Sequence, residues 1–102
     1  MPPYAAMAVA LALGGDTTTA RRWADSALHA VPDTTRLSAT DAFYIAAALV
    51  RTGQVDRGLD VLERTNRENA WLWFYMTSPL FDPVRQDKRF VRISDRAKPP
   101  GA

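Results

Sequence analysis

Cysteine is absent from this sequence and histidine occurs once, as His29, and these two shortages remove whole classes of chemistry. Without cysteine the chain can form no disulfide framework, no thiol nucleophile and no thiolate zinc site. One histidine cannot supply the histidine pairs of zinc motifs, and His29 has no evident nucleophile or ligand partner in the sequence. We therefore expect neither a metal nor another cofactor.

A glycine-rich phosphate loop and a serine, histidine and aspartate set are also missing from the sequence. Acidic residues do occur at helical spacing, since Asp56 and Asp60 are four positions apart and Glu63 lies about one turn further. General acid and base catalysis needs such groups in a cleft that alters their pKa values. Because Arg57 and Arg64 share the same predicted helix, we interpret the carboxylates as part of a solvated face. The sequence predicts a protein that is not an enzyme.

A long hydrophobic run is missing as well. The apolar stretch from Tyr4 to Leu13 is far shorter than the roughly 20 residues that span a bilayer. No lysine or arginine precedes it, so it does not resemble the hydrophobic part of a signal peptide. We interpret it as a packed helix, and we expect the chain to be cytoplasmic with no membrane partner.

What the sequence does contain is typical of one soluble globular domain: 102 residues, of which 47% are hydrophobic and 24% charged. The net charge of +2 is unevenly placed. From Met1 to Val84, seven basic residues stand against nine acidic ones, which gives −2, whereas Arg85 to Ala102 holds six against two, which gives +4. The C-terminal end is therefore a basic segment.

Apolar residues recur at helical spacing, with clear stops between the helices. The first helix face comprises Tyr4, Met7, Ala8 and Leu11. Gly14 and Gly15 end this helix, and Asp16 or one of the three following threonines can cap a second one, which Pro32 stops. The face of the second helix comprises Ala20, Trp23, Ala24, Ala27, Leu28 and Val31.

A second pair of helices follows the same order. Ser38 with Asp41 resembles a capping box at the start of the third helix, and Gly53 ends it. Its apolar face comprises Ala42, Ile45, Ala46 and Leu49, and the stripe of the fourth helix comprises Val55, Leu59 and Leu62. At a shift of 38 residues Ala8 matches Ala46, Ala10 matches Ala48, Leu11 matches Leu49 and Gly15 matches Gly53. The sequence therefore predicts two copies of one helix hairpin.

Small residues recur where the two helices of each predicted hairpin cross. They are Ala8 and Ala20 in the first copy, and Ala46 and Gly58 in the second. A larger side chain at such a crossing would push the backbones apart, at a cost on the order of 1 to 3 kcal/mol.

The last third of the chain has a different pattern. A short aromatic segment, "WLWFYM" at 71–76, is followed by "FDPVRQDKRF" at 81–90. Asp82 is predicted to cap a helix that has Pro83 at its first position, and Asp87 to cap one more helix carrying Phe90 and Ile93. Because a stack of repeats exposes an apolar face at its end, we interpret this stretch as a closing element with a polar outer side.

These features resemble a tetratricopeptide repeat (TPR) region, such as those found near the C-termini of bacterial signalling and regulatory proteins. In the first copy, 2–35, Tyr4 stands at the motif's large aromatic position, Met7-Ala8 at its Leu-Gly pair and Leu11 at its tyrosine, and the motif residues Ala20, Ala27 and Pro32 match in identity. The second copy, 38–70, fits in character at Ala42, Ile45, Ala46, Leu49 and Leu62. The resemblance implies an all-α fold in a single domain, 1–98. It comprises two antiparallel hairpins in a right-handed α-α superhelix and a closing segment, 71–98, and is followed by a flexible tail, 99–102.

The resemblance also implies a function, because in TPR proteins the first helix of each hairpin lines a concave groove that holds a peptide or partner segment. The candidate partner-binding residues are Ala5, Val9, Ala12, Phe43, Ala47, Val50 and Arg51. Phe43 would supply an apolar anchor, and Arg51 a charge for an acidic or backbone group of the partner.

Three alternatives stay open. The basic C-terminal helix could make the chain a nucleic-acid accessory module, whose binding would depend strongly on salt; we regard a nucleic acid as the less favoured partner because Asp87 and Asp95 interrupt the basic residues. The chain could instead be a fragment of a larger bacterial regulator, in which it would act intramolecularly as a structural or regulatory domain. Finally, apolar residues of the first hairpin could cause self-association.

Overall fold

The computed structural model describes residues 4–30, 38–65 and 70–99, and all regular secondary structure within these ranges is helical. Two longer hairpins come first, α1 (Tyr4–Leu13) with α2 (Thr17–His29) and α3 (Ala39–Arg51) with α4 (Val55–Thr65). They are followed by the short helix α5 (Ala70–Met76), a 3-10 helix (Pro79–Val84) and α6 (Lys88–Ala97). The prediction of an all-α fold is confirmed.

The two hairpins repeat each other at the predicted shift of 38 residues. The first and third helices end at equivalent residues, Leu13 and Arg51, and the second and fourth begin at equivalent residues, Thr17 and Val55. Each three-residue turn contains a glycine with positive φ, +93° at Gly15 and +83° at Gly53, a conformation that other residues rarely adopt.

Backbone hydrogen bonds close both turns in the same way. The amide of Asp16 donates to the carbonyl of Leu11 at 3.0 Å, and the amide of Gln54 donates to the carbonyl of Leu49 at 2.8 Å. This pattern is the Schellman motif, which ends a helix and reverses the chain, so each pair of helices returns antiparallel on itself. The internal repeat read from the sequence is therefore present in the fold.

Short polar side chains begin the helices as predicted. Asp16 Oδ1 accepts the amide of Thr19 at 3.1 Å, which selects Asp16 over the following threonines as the cap of α2. Ser38 Oγ accepts the amide of Asp41 at 3.1 Å, and Asp87 Oδ1 accepts the amides of Arg89 and Phe90 at 2.8 and 3.2 Å. Pro32, predicted to stop α2, lies outside the described residues.

The core runs through both hairpins and the closing segment as one contiguous cluster. At the predicted close crossings, Ala8, Ala20 and Ala46 are fully buried. Gly58 is tighter still, because a Cβ built there would lie 2.9 Å from Val50 Cγ2 and 3.0 Å from the carbonyl oxygen of Ala46. The absence of a side chain at Gly58 therefore sets the distance between α3 and α4.

The closing segment covers the second hairpin with large apolar side chains. Its buried residues are Leu72, Met76, Phe81, Val84, Phe90, Ile93 and Ala97. The prediction that Asp82 caps a helix with Pro83 at its first position is wrong: Ser78 caps the 3-10 helix, its Oγ accepting the amide of Leu80 at 3.2 Å, and Pro83 lies inside that helix. Proline is tolerated at Pro83 because the short 3-10 helix leaves few amides to satisfy there.

Within the described residues no helix is both long and apolar enough to cross a bilayer.

Candidate functional site

The structure places five of the seven predicted partner-binding residues in the core. Ala5, Val9, Phe43, Ala47 and Val50 are buried and belong to the core cluster. Ala12 is half-buried, so it offers little surface either. A partner surface on this face therefore has to be built from neighbouring residues.

On α1, the predicted partner-binding residues lie one position along the chain from residues that are exposed. Ala6 and Leu13 on α1 are exposed, with Leu13 at 58%, whereas their neighbours Ala5 and Ala12 turn inward. One residue along a helix rotates the side chain by about 100°, which is enough to move it from core to surface. The first helix has no polar residue apart from the Tyr4 hydroxyl to mark its outer side, so its sequence cannot fix this phase.

The third helix does carry such a signal. Thr40 and Tyr44 lie four residues apart on one face and are both exposed, Tyr44 at 37%. One repeat length of 38 residues before Tyr44 stands Ala6, which is also exposed on α1. We define the binding face as five of the exposed residues on the first helices of the hairpins and on α5, namely Ala6, Leu13, Thr40, Tyr44 and Phe74.

Four aromatic rings form a continuous row across α3 and α5. The centroids of Tyr44 and Phe43 are 5.0 Å apart, those of Phe43 and Tyr75 are 4.9 Å apart in a stacked arrangement, and those of Tyr75 and Phe74 are 6.1 Å apart. Phe43 is buried in the middle of the row, while Tyr44 and Phe74 end it at the surface, Phe74 at 57% exposure. The row thus joins core to surface through ring contacts.

Contacts on the core side and a hydrogen bond between α3 and α5 support the aromatic row. The ring of Phe81 meets Phe43 edge-on at 5.8 Å, and Phe90 packs on Phe81 at 5.5 Å. The hydroxyl groups of Thr40 and Tyr75 are hydrogen-bonded at 3.0 Å, which links α3 directly to α5. Rigid support of this kind lowers the entropy that a surface loses when it binds a partner.

The side chain of Arg51 connects α3 to the closing segment. Its Nε donates to the carbonyl of Leu80 at 2.9 Å and its Nη2 to the carbonyl of Pro79 at 2.7 Å. The charge that the sequence suggested for a partner is thus committed to backbone groups of the closing segment. No local signal could have revealed this, because the two residues are 28 and 29 positions from Arg51.

Two of the basic C-terminal residues are also committed to contacts within the protein. Arg85 Nη1 donates to the carbonyl of Met76 and its Nη2 to that of Ser78, both at 2.6 Å, and the guanidinium lies 5.5 Å from the ring centroid of Phe90. Arg89 contacts the carboxylates of Asp60 and Glu63, with Nη2 to Glu63 Oε2 at 2.6 Å.

These contacts give the carboxylates of α4 a role beyond that of the solvated face expected from the sequence. Asp60 and Glu63 pair with Arg89 of α6, and Arg57 pairs across the hairpins with Asp25 at 2.9 Å. The hydrogen bonds from Arg89 to Asp60 and then to Glu63 raise the pKa of the guanidinium above its ordinary value. The carboxylates therefore contribute to ion pairs between helices.

Cations remain exposed on the outer side of α6. Lys88, Arg92 and Arg96 follow one another at four-residue spacing, so they form a stripe along the helix, beside which Asp95 is also exposed. His29 is exposed at the end of α2. In the part of the chain that the structure describes, no three acidic or histidine side chains are grouped to hold a metal ion.

Comparison of this chain with protein-family models, curated proteins and solved structures gives no match.

Proposed function

We propose that this chain is a TPR-like protein-binding module that holds a peptide or partner segment on the binding face. The observation that carries the proposal is the aromatic row, which is anchored in the core and ends in two exposed rings, Tyr44 and Phe74. Aromatic side chains are enriched where proteins bind one another, because they bury a large area with few rotatable bonds.

The geometry supports a TPR-like arrangement through the repeat itself. The hairpins repeat every 38 residues with matched helix ends and matched glycine turns, and the first helices lie side by side, since α1 packs on α3 and α3 on α5. Side-by-side first helices give a shared surface along which a partner segment can run.

The partner chemistry follows from the residues on this surface. Leu13, Tyr44 and Phe74 are apolar or aromatic, and Thr40 and Tyr44 add hydroxyl groups. We therefore expect an extended or helical segment that inserts apolar side chains or proline between the rings and makes few ion pairs.

A selection from a random peptide library displayed on phage tests the proposal. Peptides enriched on the wild-type chain should lose binding at least tenfold when Tyr44→Ser and Phe74→Ser are combined, since each buried aromatic anchor contributes about 2 kcal/mol or more. They should bind unchanged to Val91→Ser, which alters an exposed apolar residue of α6. Failure to enrich any peptide, or equal binding to the double variant, would contradict the proposal.

A second candidate is a nucleic-acid accessory role, which the exposed stripe of Lys88, Arg92 and Arg96 favours. Neutralising a phosphate contact weakens binding and lowers its dependence on salt. Affinity for a double-stranded DNA should therefore fall when Arg92→Gln and Arg96→Gln are combined, with a shallower slope against salt concentration. Binding that is absent at low salt would dismiss this role.

A further inference from the structure

Equivalent residues of the two hairpins differ in burial on one side of α1. Met7 is 44% exposed, whereas Ile45, its equivalent 38 residues later, is fully buried. Ala10 is exposed, whereas its equivalent Ala48 is fully buried. In the second hairpin this side of the first helix is therefore covered, and in the first hairpin it is open.

The second helices show the same difference. A cavity of about 160 Å³ lies between Leu28 of α2 and four residues of α4, which are Arg57, Asp60, Val61 and Arg64. These four residues are thus the ones by which the second hairpin faces the first. Their equivalents in α2 are Thr19, Arg22, Trp23 and Ser26, and these line an open cavity of about 310 Å³.

We define the end face as the residues of the first hairpin whose equivalents meet a preceding hairpin, namely Met7, Ala10, Thr19, Arg22, Trp23 and Ser26. The interface already present in the fold shows what covers such a face: α1 and α2 pack on α3 and, across the cavity at Leu28, face α4. The end face is the equivalent surface of the first hairpin, where a preceding hairpin would pack in the same way.

The hairpin that covers the second repeat also shows the chemistry of an occupant. It offers small apolar residues, including Ala5, Val9, Ala24 and Ala27, all buried, and one carboxylate, Asp25, which pairs with Arg57 at 2.9 Å. Arg57 corresponds to Thr19 of the end face, and the one cation of this face, Arg22, lies one turn after Thr19, is exposed and has no ion-pair partner among the described residues. The end face has no carboxylate of its own.

The opposite end of the molecule cannot supply this occupant. There the second hairpin is covered by the closing segment, whose outer side carries the exposed Lys88, Arg92, Asp95 and Arg96. Head-to-tail stacking of two copies is therefore unfavourable, because Met7 and Trp23 would meet a charged helix and Arg22 would face the exposed cations of α6. If two copies stacked end face to end face instead, they would bring two arginines at position 22 into one interface.

We propose that the end face docks a helix hairpin of the same repeat type that lies outside residues 1–102, with small apolar residues against Met7 and Trp23 and a carboxylate against Arg22. On α1 the end face adjoins the binding face, because Ala10 lies one turn after Ala6, but the proposal does not rest on the proposed function.

A lengthened chain tests this inference. A second copy of residues 1–38 is placed directly before Met1, which keeps the 38-residue spacing, and Met7→Leu is made in the added copy only. The added hairpin should cover the original Met7, so that peroxide oxidises it several-fold more slowly and the urea midpoint of unfolding rises. Met76, which is buried, serves as the reference for unfolding in both chains.

Trp23 is bulkier than its equivalent Val61, so the lengthened chain is also made with Trp23→Val in the original copy. Unchanged reactivity of Met7 and an unchanged midpoint in both lengthened chains would overturn the proposal. Light scattering of the wild-type chain provides the second test, in which we expect a monomer. A dimer that is lost with Met7→Glu and kept with Val91→Glu would assign the end face to a second copy, and would also overturn it.

Discussion

At the scale of single residues, Gly58 shows how one missing side chain sets the packing of two helices. A Cβ at this position would meet Val50 Cγ2 at 2.9 Å and the Ala46 carbonyl oxygen at 3.0 Å, and the second of these atoms belongs to the backbone of α3. A helix cannot move one carbonyl without moving its neighbours, so the clash has to be relieved by separating α3 from α4.

We therefore predict that Gly58→Ala destabilises the protein. Overpacking costs about 1–3 kcal/mol, and the better helix propensity of alanine returns about 1 kcal/mol. A net loss of about 1 kcal/mol in the free energy of unfolding should appear in urea titrations. Gly14→Ala is the matched control, because its Cβ would lie 3.4 Å from the nearest atom, an ordinary contact, and its stability should change little. An equal loss in both variants would show that the α3–α4 contact is not the cause.

Arg85, in contrast to Gly58, stabilises the fold through the hydrogen bonds that its side chain donates. Its guanidinium spans the chain reversal between α5 and the 3-10 helix, with two hydrogen bonds of 2.6 Å to the carbonyls of Met76 and Ser78. A lysine has the same charge, but a single ammonium group cannot reproduce this planar fork over the Phe90 ring.

Arg85→Ala should lower the free energy of unfolding by about 2 kcal/mol, near the value of hydrogen bonds from a charged donor. Arg85→Lys should recover less than half of this loss. Arg92→Ala removes an exposed arginine from the same part of the chain and should stay within about 0.5 kcal/mol of the wild type in thermal or urea unfolding. Full recovery by lysine would mean that charge alone matters at Arg85.

At the scale of secondary-structure elements, arginines connect helices that are distant in sequence. Arg21 donates to the carbonyl of Thr52 with Nη2 at 2.7 Å, which ties α2 to the end of α3, and Arg51 repeats this role toward the 3-10 helix. The C-terminal end of a helix leaves carbonyls without partners inside the helix, and the guanidinium of Arg21, which comes from the preceding helix, satisfies the one at Thr52.

Removal of the Arg51 side chain should loosen the closing segment more than the hairpins. We expect Arg51→Ala to raise amide hydrogen exchange in the 3-10 helix (Pro79–Val84) and in α6, while α1 and α2 keep their wild-type protection. The comparison variant Arg64→Ala, an exposed residue of α4, should leave all segments unchanged. Uniform acceleration along the chain would indicate global destabilisation and contradict a local role.

The elements also show why the sequence could not indicate which residues of the first helices are exposed. The helix bounds follow from local signals such as Gly15, Gly53 and Asp87, which act through neighbouring backbone groups. The rotation of α1 about its axis follows from its packing on α2 and α3, and a helix that is apolar on every side gives no sequence signal for it. The pair Thr40 and Tyr44 on α3 was the one usable marker of this phase.

At the scale of the whole molecule, the fold is an elongated stack, 40 by 27 by 18 Å along its principal axes, with a single core running along it. The large side chains of this core belong to the second hairpin and the closing segment, whereas the first hairpin is packed mainly with alanine. Stability should therefore depend strongly on the C-terminal third.

A chain ending at residue 70 should not fold cooperatively. It would lose Leu72, Met76, Phe81, Phe90 and Ile93 from the core. At about 2 kcal/mol for each buried side chain, the loss approaches the total stability of about 5–15 kcal/mol for a domain of this kind. Circular dichroism should show a broad, weak transition, compared with one sharp transition for the full chain. A sharp transition in the shortened chain would mean that the hairpins are stable by themselves.

The sequence by itself determined the four helices of the two hairpins, the caps of α2, α3 and α6, the 38-residue repeat and the closing role of the last third, because glycine turns and short polar caps act within a few residues. Only the tertiary structure decided which side of α1 is exposed, and that Arg51, Arg85 and Arg89 bind groups of the protein itself. These outcomes depend on arginine side chains that meet backbone carbonyls or carboxylates from 7 to 29 positions away, and on which helix faces meet when apolar surface is buried.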